Sequence, residues 1–226
     1  RQRVLDSFAV ALKDADADGI KRALAQFRVD WEASKPAARE PVDSLETQAR
    51  DLQQQAQQRL AALRDAKHRA RYELLAQKAA LADRVEAATL AAEPLEAVVA
   101  EAKQAWDRLP RLPGNSENQL AQRFAEANSI TRAGAAAGRE IREALLLDLE
   151  IALDLPSPEA YAKVRRERQL ERLQHRFGAA SPQASDAQAL LVQAYATAAL
   201  PDASFDQRIA AVVRQLATQA ASADGK

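Results

Sequence analysis

Residues 104–120 read "QAWDRLPRLPGNSENQL" and join two helical patterns through a turn that contains two prolines. A proline cannot continue a helix, because it lacks the backbone N–H and its ring clashes with the preceding turn. A glycine follows the prolines, and from Leu120 onward apolar residues again recur every three or four positions. Trp106 therefore stands at the end of one helix, where we expect its ring to anchor the turn.

The same order of features occurs earlier in the chain. A shift of 75 residues aligns Ile20 with Leu95, Trp31 with Trp106 and Leu45 with Leu120. Further on the offset becomes 71, which aligns Arg71 with Arg142. A degenerate third copy has Tyr195 in place of the tryptophan. The chain thus repeats a short helix, an aromatic anchor, a turn and a second helix, and such repeats bury their apolar faces against neighbours.

These patterns predict an all-α fold, an elongated array of helical modules with long coiled-coil-like helices. We expect three modules, at residues 1–92, 93–178 and 179–226, with long helices near 42–88 and 115–155. Helix breaks are expected at Pro36–Pro41, near Pro94, at Pro110–Gly114, at Pro156, near Gly178–Pro182 and at Pro201. Gly134 and Gly138 fall on an apolar stripe, where small residues let another helix backbone approach closely.

Composition excludes several classes of protein. Hydrophobic residues make up 47% of the 226 residues but aromatics only 4%, which favours thin helix-on-helix packing over a thick core. The formal net charge is +0, so no global basic field indicates nucleic acid. Cysteine is absent, which removes disulfides and thiolate chemistry. There is no secretory signal and no membrane-length apolar run, so we expect a cytoplasmic protein without a membrane partner. Because no methionine begins it, we expect the chain to be a fragment.

The second copy carries a family resemblance. Trp106 with its proline-containing turn, "LAQRFAEAN" at 120–128 and "LLLDLEIALDLPSPEAYAKVRRERQLERLQ" at 145–174 resemble the bacterial family called "domain of unknown function 349". The resemblance covers most of residues 20–177 and implies tandem helical modules. The first copy departs from the pattern, with Ala49 where the second has Phe124. The family brings no established activity, so the resemblance implies no catalytic residue and no cofactor.

The residues do not form a recognisable active site. Asp14, Asp16, Asp18 and Gly19 match the first half of a calcium loop, but its twelfth position holds Ala25 instead of a glutamate. An acidic turn in which Asp18 caps a helix is the favoured interpretation. No glycine is followed by the Lys-Ser/Thr of a phosphate-binding loop, and the two histidines lie far apart in sequence. We therefore predict no enzyme activity, metal, cofactor or small-molecule substrate.

Two basic surfaces remain. One helix face carries Arg64, Lys67 and Arg71, and a second carries the ridge Arg165, Arg168, Arg172 and Arg176. Guanidinium groups at helical spacing can each neutralise a phosphate without reading bases. They can equally pair with acids of a neighbouring helix, such as Glu140, Glu143, Asp148 and Glu150. The spacing alone leaves both interpretations open.

The sequence therefore predicts a non-catalytic helical-repeat scaffold or protein-interaction module that binds a protein partner or self-associates. The alternative is an RNA-, ribosome- or DNA-associated protein that binds phosphates through its arginine-rich helix faces. Trp31 and Trp106 are the predicted structural anchors.

Overall fold

The computed structural model describes residues 1–34, 43–176, 184–199 and 202–223. These residues form helices and no strand, which confirms the all-α fold. The helices are α1 Gln2–Leu12, α2 Ala17–Ala33, α3 Asp43–Leu90, α4 Leu95–Arg108, α5 Ser116–Glu126, α6 Arg132–Ala152, α7 Ala162–Arg176, α8 Ala184–Ala196 and α9 Ala203–Ala223, with 3₁₀ turns at Ala127–Ser129 and Glu159–Tyr161. None of the helices in these ranges is both long and apolar enough to cross a bilayer.

The chain divides into two compact units. Unit 1 contains Arg1–His68 together with the end of α9 from Ala220, and unit 2 contains Arg69–Gln219. The boundary lies inside α3 and does not coincide with the module limits at 92 and 178. The division into three modules, which describes the sequence repeat, stays a prediction.

The long helix expected at 42–88 is present as α3, but its apolar stripe is not continuous. Buried positions end at Leu60 and resume at Tyr72, and no residue of 61–71 is buried. This middle segment is rich in Arg, Lys and Asp, whose charged ends favour water. One end of α3 therefore contributes to the core of unit 1 and the other end to the core of unit 2.

The prediction of a second long helix at 115–155 was wrong. The helix stops at Glu126, and Ile130 has an extended backbone before α6 begins at Arg132. The Ser129 hydroxyl donates to the Glu126 carbonyl at 2.8 Å, and Thr131 Oγ1 accepts the Gly134 N–H at 3.1 Å. Hydroxyl side chains that take backbone partners compete with a continuous helix and start a new one.

The other expected breaks and caps had mixed outcomes. Pro94, Pro110–Gly114 and Pro156 lie between helices as predicted. Pro36–Pro41, Gly178–Pro182 and Pro201 lie outside the described residues. The cap expected at Asp18 was wrong: α2 begins at Ala17, and the Asp16 carboxylate accepts the Gly19 N–H at 2.7 Å. Asp18 lies in the first turn instead and pairs with Lys21 at 3.2 Å.

The close helix approach expected at the two glycines occurs at one of them. A Cβ on Gly138 would lie only 1.7 Å from the carbonyl oxygen of Ala198, just beyond α8. A Cβ on Gly134 would meet only Thr131 Oγ1, at 3.2 Å. Gly134 is exposed in the first turn of α6, so the expectation was right for Gly138 and wrong for Gly134.

Candidate functional site

Trp31 belongs to an aromatic stack in unit 1. Its ring lies 5.4 Å from Phe27, which stacks on Phe8 of α1 at 4.3 Å. The Arg1 guanidinium covers the tryptophan at 4.7 Å and donates to Glu46 at 3.4 Å. The first copy thus draws its aromatic partner from its own helix, which explains how it accommodates Ala49 where the second copy has Phe124.

Trp106 has the corresponding arrangement in unit 2. Its ring stacks on Phe124 at 4.9 Å, and Lys78 Nζ lies 4.4 Å above it. Lys78 is 1% exposed and pairs with Glu117 at 2.6 Å, while the other Glu117 oxygen accepts the Leu112 N–H at 2.8 Å. Burial raises the pKa of Glu117, but these two hydrogen bonds and the charges of Lys78 and Arg111 together outweigh it and hold the pKa below its usual value. The proline turn is therefore tied to the buried lysine.

Both tryptophans are half-buried and pack against a hydrophobic core, and their role as structural anchors stays a prediction. In each case a cation covers the ring and pairs with a glutamate of the next helix. The repeat alignment gave no sign of this, because the cations come from Arg1 in one unit and from α3 in the other.

The predicted ridge on α7 faces protein. Arg168 pairs with Asp148 at 2.9 Å and donates to the Ala144 carbonyl at 2.8 Å. Arg172 donates to the Asp148 carbonyl at 3.3 Å, and Arg165 donates to Ser157 Oγ at 2.6 Å. All three arginines are half-buried, whereas Lys163 and Arg166 are exposed. The Arg176 side chain lies outside the described residues.

The other predicted patch is divided between the two units. Arg64 is half-buried and Lys67 is exposed, both in unit 1. Arg71 belongs to unit 2, where its guanidinium lies 2.7 Å from the amide oxygen of Gln188 in the amide orientation that satisfies both side chains. The Arg71 guanidinium therefore already has a hydrogen-bond partner on α8. Its phosphate-binding role, like that of the ridge, stays a prediction.

A buried ionic network, which sequence reasoning missed, links α3 to the C-terminus of α8. Arg123 of α5 binds both oxygens of Glu86, at 2.8 and 2.7 Å, and also pairs with Asp83. It donates in addition to the Tyr195 carbonyl at 2.7 Å. Arg142 of α6 pairs with Asp83 at 3.1 Å and donates to the Thr197 carbonyl at 2.8 Å. The two arginines thus satisfy carbonyls that a helix end leaves without partners.

The network also acts on nearby titratable groups. Burial, together with the charges of Asp206 and Asp83, raises the pKa of Tyr195 to about 12. Burial lowers the pKa of Arg123, but Glu86 and Asp83 more than compensate, so this guanidinium stays charged. One sequence signal was available. Asp83 and Glu86 directly follow Ala82 and Val85, apolar residues whose spacing of three places them on the buried face of the helix.

A second network ties α9 to α6 and α7. Arg208 donates to Glu150 at 2.7 Å and to Glu143 at 2.6 Å, and its guanidinium lies 5.1 Å from the ring of Tyr161. Glu150 also accepts from the Ser157 hydroxyl at 2.5 Å, and Ser157 accepts from Arg165. One arginine of the predicted ridge is therefore part of this internal chain of contacts.

The concave surface of interest, which we call the α5–α6–α8 groove, lies beside the first network in unit 2. Its volume is about 680 Å³. Its lining includes the amides Gln119, Gln122 and Gln193, the hydroxyls Ser129, Thr131 and Thr197, and the aliphatic residues Ile130, Ile141 and Leu145. Ile141 is 52% exposed. Two charged residues line it: Arg123, which is 3% exposed, and Glu126, which is exposed.

No protein-family model, curated protein or solved structure matches this chain. The resemblance to domain of unknown function 349 stays a prediction. Within the described ranges no group of three or more His, Asp or Glu side chains is placed to hold a metal ion. The chemistry of the groove is accordingly that of its own amides, hydroxyls, aliphatic carbons and one exposed carboxylate.

Proposed function

We propose that the chain is a non-catalytic helical scaffold that holds a segment of a partner protein in the α5–α6–α8 groove. The observation that supports this is the groove's lining, which joins exposed aliphatic surface to amides and hydroxyls and carries one exposed charge. Concave sites with an apolar base and a few convergent polar groups are the usual places for ligand recognition.

A peptide suits this lining better than a phosphate-bearing ligand. Glutamine side chains both donate and accept hydrogen bonds, so they can pair with the N–H and C=O groups of an incoming backbone. Ile141 and Leu145 supply apolar area for a side chain of the partner. The single cation in the lining, Arg123, already binds Glu86, Asp83 and the Tyr195 carbonyl. Freeing it for a phosphate would leave Glu86 buried and unpaired.

The contacts of the α7 ridge also favour a scaffold over a nucleic-acid binder. Arg168 and Arg172 would have to leave Asp148 and the α6 carbonyls before they could contact phosphates. Breaking these partly exposed contacts subtracts about 1–2 kcal/mol in total from any binding energy.

Site-specific photo-cross-linking tests the proposal. A photoreactive residue replaces Gln122, which is exposed in the groove, or Gln104, an equally exposed glutamine on α4 that serves as the matched control. We expect a protein adduct from position 122 in extracts of the source cells and none from position 104. Identical adducts at both positions, no adduct at all, or cross-linking to RNA or DNA would contradict the proposal.

A further inference from the structure

The charge of the groove points to the kind of segment that it binds, an inference that rests on the proposed function. Beneath the groove, Asp83 and Glu86 carry two negative charges and Arg123 and Arg142 two positive ones, so this network is neutral. The network is also largely enclosed, since Glu86, Arg123 and Arg142 are all buried. Glu126 thus remains as the exposed formal charge of the lining.

Two helix ends at the groove carry partial charges of opposite sign. Ala196, Thr197 and Ala198 bring the C-terminal end of α8 to the groove, where the helix dipole adds partial negative charge. The arginines that bind the Tyr195 and Thr197 carbonyls are balanced by the acids of α3. At the N-terminal end of α6 the dipole adds partial positive charge, and Thr131 Oγ1 accepts one of the N–H groups there, that of Gly134. The full charge that the rim offers is therefore the Glu126 carboxylate.

Aliphatic surface lies in the same groove as this negative rim. Ile141 and Leu145 belong to α6 one turn apart, and Ile130 lies on the connection from α5. Exposed apolar surface next to a charge of one sign favours a ligand that presents an aliphatic group and the opposite charge.

We infer that the α5–α6–α8 groove selects a peptide segment in which a lysine or arginine stands beside aliphatic residues. The basic side chain pairs with Glu126, the aliphatic side chain packs on Ile141 and Leu145, and the amides of Gln119 and Gln193 bind the peptide backbone. An acidic segment is repelled by the same carboxylate.

A random peptide library displayed on phage tests this inference with two matched pairs of variants. Glu126→Gln removes the rim charge, and Glu96→Gln removes an exposed carboxylate on α4. Ile141→Ser removes the exposed aliphatic group, and Leu170→Ser changes an equally exposed leucine on α7, which is 59% exposed. Because all four side chains are exposed, the substitutions leave the fold intact, which circular dichroism checks.

We expect the enriched peptides to contain a basic residue next to aliphatic ones. A synthetic peptide of the enriched sequence should bind Glu126→Gln roughly three- to tenfold more weakly and Ile141→Ser about tenfold more weakly. The two control variants should bind it as the unchanged protein does. Enriched peptides without a basic residue, or with equal affinity for Glu126→Gln, would overturn this inference and leave the proposed function standing. If the unchanged protein enriches peptides no more strongly than Ile141→Ser does, both the inference and the proposed function would be overturned.

Discussion

The cores of the two units differ in how many polar side chains they bury. The core of unit 1 is apolar, built around the stack of Phe8, Phe27 and Trp31. Every buried polar side chain of the described residues lies in unit 2, namely Lys78, Glu86, Ser116, Arg123, Arg142 and Glu150. Apolar burial stabilises regardless of pH, whereas a buried charge stabilises only while its partner is present. The two units should therefore respond differently to the loss of one side chain.

The largest expected effect is the removal of Arg123, compared with the removal of Phe27. Arg123→Met leaves the fully buried Glu86 without its bidentate partner, which should cost about 3–5 kcal/mol. Phe27→Ala empties the aromatic stack and should cost a similar 3–5 kcal/mol or so. Denaturant unfolding measures both, with Trp31→Phe leaving Trp106 as the reporter of unit 2 and Trp106→Phe leaving Trp31 as the reporter of unit 1.

A second substitution separates the two causes. Adding Glu86→Leu to Arg123→Met removes the stranded charge and should recover much of the lost stability, because an apolar replacement of a buried ion pair is often neutral. No second change rescues Phe27→Ala in this way. If the double variant were less stable than Arg123→Met alone, the buried charge would not be what holds this part of unit 2.

The next effect concerns the glycines of α6, both in unit 2. Gly138→Ala places a Cβ against the Ala198 carbonyl and should destabilise by about 3 kcal/mol, the upper range for overpacking. Gly134→Ala is the matched control, and its change should stay within about 1 kcal/mol because helix propensity favours alanine. Thermal unfolding of the two variants measures the difference. Equal melting temperatures would mean that α6 and α8 do not cross closely at Gly138.

Ionisation of tyrosine at alkaline pH should affect unit 2, because Tyr72, Tyr161 and Tyr195, the three tyrosines of the chain, all lie there. Burial raises the pKa of each, that of Tyr195 to about 12. A raised folded pKa gives stability that is present below about pH 10 and is lost as the pH rises through about 12, at most about 3 kcal/mol for Tyr195. Unfolding free energies measured against pH in Tyr195→Phe should lack this loss. A tyrosine absorbance titration with an ordinary midpoint would contradict the burial of these rings.

Removing the cation that covers each tryptophan should change the free energy of unfolding by less than the substitutions above. Lys78→Met leaves Glu117 unpaired, with its side chain only 17% exposed, and should cost about 2 kcal/mol. Arg1→Met breaks a pair whose glutamate, Glu46, is 45% exposed, and should cost less than about 1 kcal/mol. The fluorescence of the single-tryptophan variants reports each loss. An Arg1 effect as large as that of Lys78 would show that ring contact, not the buried pair, dominates.

Local signals predicted the helices of this fold, and tertiary partners decided the rest. Proline positions gave three of the breaks between helices, and the apolar spacing gave α3. The break at Ile130 arises because the hydroxyls of Ser129 and Thr131 bind backbone groups there. The apolar spacing continues through this segment, so it did not indicate the break.

The candidate site was less accessible to sequence reasoning. The spacing of Arg168 and Arg172 is the same on a solvated ridge as on an ion-paired face, and only the approach of α6 distinguishes them. The α5–α6–α8 groove depends on three helices separated in sequence, so no local pattern could show it.

The central claim is that the arginines of unit 2 stabilise the fold, and that the partner binds in the α5–α6–α8 groove, whose exposed charge is Glu126. Arg168→Glu combined with Arg172→Glu tests it directly, with melting temperature and binding to RNA and duplex DNA at low salt measured on the same samples. The account predicts no nucleic-acid binding by the unchanged protein. It also predicts a loss of about 1–2 kcal/mol in the variant, which lowers the Tm by about 2–4 °C for each kcal/mol. Binding that falls steeply with salt and disappears in the variant at an unchanged Tm would contradict it.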